Sequence, residues 1–194
     1  MLVIGLTGNI ACGKSTVSRM LADLGAQTID ADKLVHALQT PGSEVYVRIV
    51  ARHGRHVLRS DGAIDRAALG RIVFADRAEM DWLERLTHPA VVAETARLLS
   101  QANAPVVVIE AVKLVEAGMQ RLCDQLWIVV CDADVQLARL IARGTDAEAA
   151  RRRIAAQPDL APKLGLATAV IDNSGSIEET REQVRAAWNR MLVQ

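Results

Sequence analysis

Short apolar runs alternate along this chain with longer segments whose apolar positions recur at helical spacing. Leu2 to Thr7 reads as a buried strand, and Lys14 to Leu24 as a helix stopped by Gly25. Gln27 to Asp30 is a short second strand. From Ala31 to about Gln101 the pattern is helical but interrupted, with a turn at Ser60-Asp61-Gly62. Val106 to Glu110 and Leu126 to Cys131 are two further apolar runs rich in Val and Ile. Val135 to Arg143 and Asp146 to Gln157 read as helices, the second opened by Thr145-Asp-Ala-Glu148 at capping-box spacing. Ala169 to Ile171 reads as a last strand, and Ser176-Ile-Glu-Glu179 caps a final helix running towards Leu192. Strands alternating with helices predict an α/β fold, a parallel sheet covered on both faces. The long helical stretch between the second and third strands reads as an insertion.

Composition narrows the picture. Of 194 residues 51% are hydrophobic but only 3% aromatic, so the core must be built from Ala, Val, Leu and Ile. That richness excludes a disordered chain. Basic and acidic side chains balance at 23 each, which removes the bulk electrostatic argument for nucleic-acid binding. Only four of the basic residues are lysines, Lys14, Lys33, Lys113 and Lys163, so each lysine invites the question of its use. Cys12, Cys123 and Cys131 lack metal-ligand spacing and fit a reducing cytoplasm. The start MLVIGLTG has no signal-peptide pattern, and no apolar run approaches the roughly 20 residues that span a bilayer. A soluble cytoplasmic protein, a monomer or weak homo-oligomer, is expected.

The strongest local signal is Gly8-Asn-Ile-Ala-Cys-Gly13-Lys14-Ser15, a G-x-x-x-x-G-K-[ST] pattern between a predicted strand and a predicted helix. Gly8 and Gly13 permit a backbone whose amides turn inwards around phosphate oxygens, and the new helix adds its positive end. Lys14 would reach the outer phosphates and the Ser15 hydroxyl would ligate magnesium. The loop predicts nucleoside triphosphate binding without naming a reaction. A guanine-reading Asn-Lys-x-Asp segment is missing, and Glu110-Ala-Val-Lys stands where a switch GTPase carries Asp-x-x-Gly, so hydrolytic switching is disfavoured.

Asp30-Ala-Asp32 follows the second strand, where ligands bind in doubly wound sheets. Phosphoryl transfer to a hydroxyl needs a carboxylate to orient the acceptor and oxygens around magnesium. The competing reading is an ordinary helix N-cap. Arg139, Arg143, Arg151, Arg152 and Arg153 form a late basic cluster; on a closing lid such residues neutralise the transferring phosphoryl group, and on a surface helix they are merely solvated. Arg143, beside Gly144, is the first choice. Cys12 is either a reactive thiol at a helix N-terminus or a small residue in place of serine. Lys113 either touches an acceptor phosphate or a carboxylate such as Glu116, or is a solvated surface lysine.

Together these residues resemble the dephospho-CoA kinase family. The resemblance runs nearly end to end: IGLTGNIACGKST, IDADKLVH from Ile29, Asp65-Arg66 with Leu69, Val73-Phe74-Ala75-Asp76, His88-Pro89, Arg139-Leu140, Arg143, Arg153-Ile154 with Gln157, and Ile171-Asp172-Asn173-Ser174-Gly175. It implies ATP- and magnesium-dependent phosphorylation of the ribose 3′-hydroxyl of dephospho-CoA, on a phosphate-loop NTPase sheet. The expected core is about residues 1–30, 105–135 and 168–194, with a helical substrate region at about 31–101 and a helical lid at about 136–165. By position, Asp32 resembles the base facing the acceptor hydroxyl, with Asp30 supporting it or the metal beside Ser15. Lys14 and Arg143 complete the catalytic group. Ala11, Cys12, Gly13, Lys14, Ser15, Thr16 and Asn173 would bind ATP, with Asn173 where the family's adenine contacts are made. Asp30, Arg66, His88, Lys113 and Glu116 fall in the acceptor region, and Arg139 and Arg143 in the lid.

Two segments depart from the family pattern. Asn9, Ala11 and Cys12 replace the family's usual Gly-Ile-Gly-Ser context, at positions the general motif leaves variable. Val112-Lys113-Leu-Val-Glu116 replaces Pro-Leu-Leu-Phe-Glu: Glu116 matches, but the proline is lost and a lysine appears. That change leaves open a phosphate-loop kinase for another small hydroxyl acceptor (a nucleoside, nucleotide or sugar). A nucleotide-binding regulator without transfer activity is the third reading. No nucleic-acid or membrane partner is expected.

Overall fold

The computed structural model describes residues 1–157 and 159–193. Pro158, in the expected lid, and Gln194, at the end of the expected core, lie outside the described residues. The chain forms two compact units, Met1–Ile29 with Gln101–Gln194, and Asp30–Ser100.

The first unit is built on a five-stranded sheet in the order β2-β3-β1-β4-β5. Its strands are β1 (Leu2–Gly8), β2 (Gln27–Asp30), β3 (Val106–Glu110), β4 (Gln125–Val130) and β5 (Ala169–Asp172). β1 runs parallel to β3, from Leu2 opposite Val106 to Leu6 opposite Glu110, and parallel to β4, from Ile4 opposite Gln125 to Gly8 opposite Val129. β5 continues the parallel set beside β4. Parallel strands buried on both faces read as unbroken apolar runs, which is why these runs were legible. The helices of this unit are α1 (Lys14–Asp23), α6 (Ala133–Ala142), α7 (Ala147–Ala155), α8 (Ala161–Leu164) and α9 (Ile177–Val193). Ile4, Leu6, Val17, Leu21, Val108, Trp127, Val129, Val184 and Trp188 share one core between sheet and helices. The aliphatic core therefore centres on two of the few aromatic residues.

The second unit is helical: α2 (Ala31–Leu38), α3 (Glu44–His53), a 3-10 turn (Arg55–Val57), α4 (Arg66–Ala75) and α5 (Arg77–Ser100). Asp30, Ser43 and Asp65 cap α2, α3 and α4 by accepting from first-turn amides. The Ser60-Asp61-Gly62 turn returns the chain so that Leu58 and Ile64 form an isolated antiparallel bridge. Val45, Ile49, Val57, Ile64, Leu69 and Val73 make this unit's own core.

Several local expectations are corrected. The N-cap of α7 is Asp146, which accepts from the amides of Glu148 and Ala149; the box drawn from Thr145 is one residue early. At α9 the box holds: Ser176 Oγ accepts from Glu179 N, and Glu179 Oε2 accepts from Ser176 N. Pro89 stands inside α5. The short helix α8 was missed, because four residues show no period.

His53 closes the end of α3. It is buried, its ring meets Trp82 edge-on at 5.4 Å, and Nε2 lies 3.7 Å from Glu79. Loss of water holds its pKa below the usual value; Glu79 opposes this, while Arg52 and His56 reinforce it. The folded protein thus prefers the neutral ring, and the unfolded chain protonates first as pH falls. Stability from this site is complete above about pH 6.5 and is lost below it, towards the depressed folded value. His53→Phe is expected to flatten the decline of unfolding free energy between about pH 6.5 and 5. Denaturant titrations across that range check this, and identical slopes in both proteins would exclude His53 as the source.

Candidate active site

The chain leaves β1 at Gly8, with φ of 153°, where a Cβ would run into the Val129 carbonyl of β4. It re-enters a helix through Gly13, in the left-handed region at φ 91°, where a Cβ would collide with the Asn173 amide. Ala11 between them also has a positive φ, 58°. Both motif glycines are therefore demanded by close approach as well as by conformation. The helix that follows is unusual within this molecule. α2, α3, α4 and α7 each have a side-chain cap; α1 and α6 have none, and of these two only α1 also lacks an acid in its first turn. An N-terminus left uncapped keeps its amides and its positive end for an external anion. Lys14 Nζ donates to the Gly8 carbonyl at 3.1 Å, which folds its ammonium over the mouth of the loop. Ser15 is exposed, and Thr16 N bonds back to Gly13 O.

Amides that face a ligand leave carbonyls facing the protein. Those carbonyls are met from behind. Asn173 Nδ2 donates to Cys12 O at 2.7 Å, and its Oδ1 accepts from Thr180 at 2.9 Å. Arg139 spreads its guanidinium over Ala11 O, Cys12 O and Asn173 O. Gln136 donates to Ile10 O, and Gln157 accepts from Ile10 N at 2.6 Å. Ala11 also packs with Leu140 and Ala150 of α6 and α7, flanked by Ile10 and Ile154. The expected lid region thus contributes a brace through Gln136, Arg139 and Gln157, joined from the expected core by Asn173, whose Nδ2 meets the loop's backbone. Arg143, by contrast, is exposed at the end of α6, followed by Gly144 at φ 83°.

Cys12 is 1% exposed and accepts from Gln136. Burial first, and then the neighbouring Cys12 thiol, push the Cys131 thiol up to about 12. Cys12 is thus packed into the loop as a small buried residue. The segment after β3 winds as a turn. Thr7 Oγ1 donates to Val112 O at 3.0 Å, Leu114 is fully buried, and Lys113 is exposed. Glu116 Oε1 lies 2.7 Å from Lys163 Nζ of α8, a lysine to which sequence reasoning attached no role.

The remaining candidates, Asp30, Asp32, Arg66 and His88, belong to the second unit. Asp30 caps α2 through Lys33 N and pairs with Lys33 Nζ at 2.8 Å, so the N-cap reading of this residue is realised. Asp32 sits in the first turn of α2, half-buried. His36, one turn further on, was passed over. It lines a cleft of about 400 Å³ with Arg66, Arg59, Gln39 and the start of α4. Loss of water and then Arg66 lower its pKa, while Asp32 and Asp30 oppose them, so all four groups share one field. Its spacing of four from Asp32, on one helix face, was the available signal. His88 is half-buried in α5.

Oxygen donors dominate the candidate metal ligands. The Ser15 hydroxyl and the carboxylates of the second unit are hard ligands, which suit magnesium and not a soft metal. Among the described residues no cluster of three or more His, Cys, Asp or Glu could hold a metal ion. The Ser15 hydroxyl at the start of α1 is a hard oxygen donor of the kind magnesium takes beside phosphate oxygens.

Residues 2–179 match the dephospho-CoA kinase family profile. A dephospho-CoA kinase from Symbiobacterium thermophilum is 52% identical over 192 residues, covering 97% of this chain and 80% of the relative. A crystal structure of a Thermus thermophilus protein superposes with a TM-score of 0.82 at 31% identity, covering 98% of this chain and 97% of the other. The dephospho-CoA kinase of Campylobacter jejuni does so with a TM-score of 0.69 at 27% identity, covering 97% and 96%. With a complete phosphate loop at the carboxyl end of β1 and a match along nearly its whole length, the chain belongs to the dephospho-CoA kinase family.

Proposed function

We propose that the protein transfers the γ-phosphoryl group of ATP to the ribose 3′-hydroxyl of dephospho-CoA, forming coenzyme A. The observation that carries this reading is the uncapped α1 terminus behind a fully braced phosphate loop, in a chain with full-length family likeness. Catalysis is positioning and charge neutralisation. The amides of the loop from Ala11 to Thr16 hold the β- and γ-phosphates, with Gly8 and Gly13 setting its shape. Lys14 exchanges the Gly8 carbonyl for phosphate oxygens. Ser15 and Asp30 are the protein ligands of magnesium, which when bound neutralises phosphate charge. Asp32 accepts the proton of the acceptor hydroxyl, and Arg143, on the glycine hinge, reaches the phosphoryl group. Asn173 borders the adenine side of the site. Arg66, His88, Lys113 and Glu116 hold the acceptor. The reading assigns the enzyme to the cytoplasm, supported by three free cysteines, as a monomer or weak homo-oligomer. No described helix is long and apolar enough to cross a membrane.

ADP release measured across dephospho-CoA, nucleosides, nucleotides and sugars tests the acceptor. Turnover confined to an acceptor other than dephospho-CoA would sink the assignment. Lys14→Ala is expected to lower kcat/KM by roughly 10²- to 10³-fold, and Asp32→Asn to lower kcat by about 10²- to 10⁴-fold. Wild-type kcat in Asp32→Asn would remove it from the chemistry. The two lid arginines should separate. Arg139→Met is expected to raise the KM for ATP and lower Tm together, since it orphans loop carbonyls, each costing about 1–3 kcal/mol. Arg143→Met should lower kcat while leaving Tm within a degree or two, on the order expected for an exposed residue. A thermal scan beside steady-state kinetics decides; equal Tm losses in both would refute the division.

A further inference from the structure

Lys163 is a buried cation in a part of the chain where sequence offers no reason for one. Its side chain is 9% exposed, on the four-residue helix α8, and its Nζ meets Glu116 Oε1 at 2.7 Å. A buried ammonium is retained only with a partner, and a packed apolar side chain would serve stability at least as well. The pair therefore calls for another use. Glu116 supplies it. Its side chain is 34% exposed, and its Oε2 has no partner among the described residues. Its backbone rides on a turn that is already fixed: Ala111 N bonds to Leu6 O, Thr7 holds Val112 O, Leu114 is fully buried, and Met119 N bonds to Leu114 O. What such a turn leaves undetermined is the side-chain rotamer of Glu116, and Lys163 sets it.

We infer that Lys163 is a positioning residue of the acceptor site: by holding Oε1 of Glu116 it presents Oε2 to a hydrogen-bond donor, a hydroxyl or amide, of the acceptor. The inference rests on the dephospho-CoA reading and deepens it. It also changes the meaning of the altered segment, since Glu116 is aimed from α8 whatever stands at Val112 and Lys113. The brace and the acceptor turn share one stretch of chain, for α8 follows the residue, Gln157, that grips Ile10 N.

Steady-state kinetics of Lys163→Met, Lys163→Arg, Glu116→Gln and the Lys163→Met/Glu116→Gln double variant, with Tm for each, test this. Lys163→Met is expected to raise the KM for dephospho-CoA roughly tenfold, the loss of one charge-assisted hydrogen bond, with the KM for ATP within about twofold. Lys163→Arg should recover part of that loss, and the double variant should bind the acceptor no worse than the weaker single one. An unchanged acceptor KM in Lys163→Met, or additive losses in the double variant, overturns the inference. If Lys163→Met does not fold, Glu116→Gln decides, because its amide oxygen still accepts from Lys163. It should raise the acceptor KM while keeping Tm, and an unchanged KM overturns the inference. Wild-type protein without turnover of dephospho-CoA would instead refute the acceptor assignment.

Discussion

A loop that offers its amides to a phosphate must have its carbonyls satisfied by the protein behind it. Much of the first unit's arrangement follows from that constraint. Ile10, Ala11 and Cys12 stand too close in sequence to satisfy one another's carbonyls, since helical bonds span three or four residues. Their partners arrive from far along the chain: Asn173 at the end of β5, Arg139 and Gln136 on α6, and Gln157 after α7. Leaving one such carbonyl unmet costs about 1–3 kcal/mol, so the brace stabilises the loop even without ligand. A preformed anion cradle follows. Nucleotide binding then need not meet the cost of ordering it.

The same constraint decides residue types. Arg139 covers three carbonyls because a guanidinium is a flat fork with five donors, which an ammonium is not. Asn173 presents a donor to Cys12 and an acceptor to Thr180 at once, the two ends of one planar amide. Gly13 is forced in turn, since the Asn173 amide fills the place of a Cβ. Each choice makes the next one necessary. Conversely, Lys163 is a compact charge facing a single carboxylate, and there a lysine suffices.

The sheet and the loop were legible because each rests on local pattern: apolar runs of strand length, and a glycine-lysine-serine signature between strand and helix. Gln27–Asp30 and Val106–Glu110 are observed with the bounds their runs predicted. What stayed hidden depends on contacts distant in sequence. Nothing near Arg139 or Asn173 indicates that they turn inwards to carbonyls more than thirty residues away or across the sheet, because no local pattern encodes such contacts. His36 looked idle because its meaning lies in the charges of Arg66 and Asp32 around it. Lys163 gave no signal, since a short helix has no period and a buried charge is recognised only through its partner. Asp30 shows the limit from the other side. Its cap on α2 was foreseen as an alternative, and a carboxylate that already holds Lys33 can still offer lone pairs to a cation.

Charge placement carries the argument one step further. With 23 charges of each sign the molecule has no net charge to draw in a highly anionic substrate. Selectivity for phosphates must come from short-range geometry, and exposed pairs such as Arg59 with Asp61 or Arg97 with Glu94 add little to it. The groups that matter are a helix terminus without a side-chain cap, a lysine at the phosphate loop and a glutamate paired through one oxygen. Each has a protein contact that a ligand can replace or extend at small cost. The neutral surface then becomes an advantage, because it gives other polyanions little hold, while a substrate that completes these three contacts is recognised.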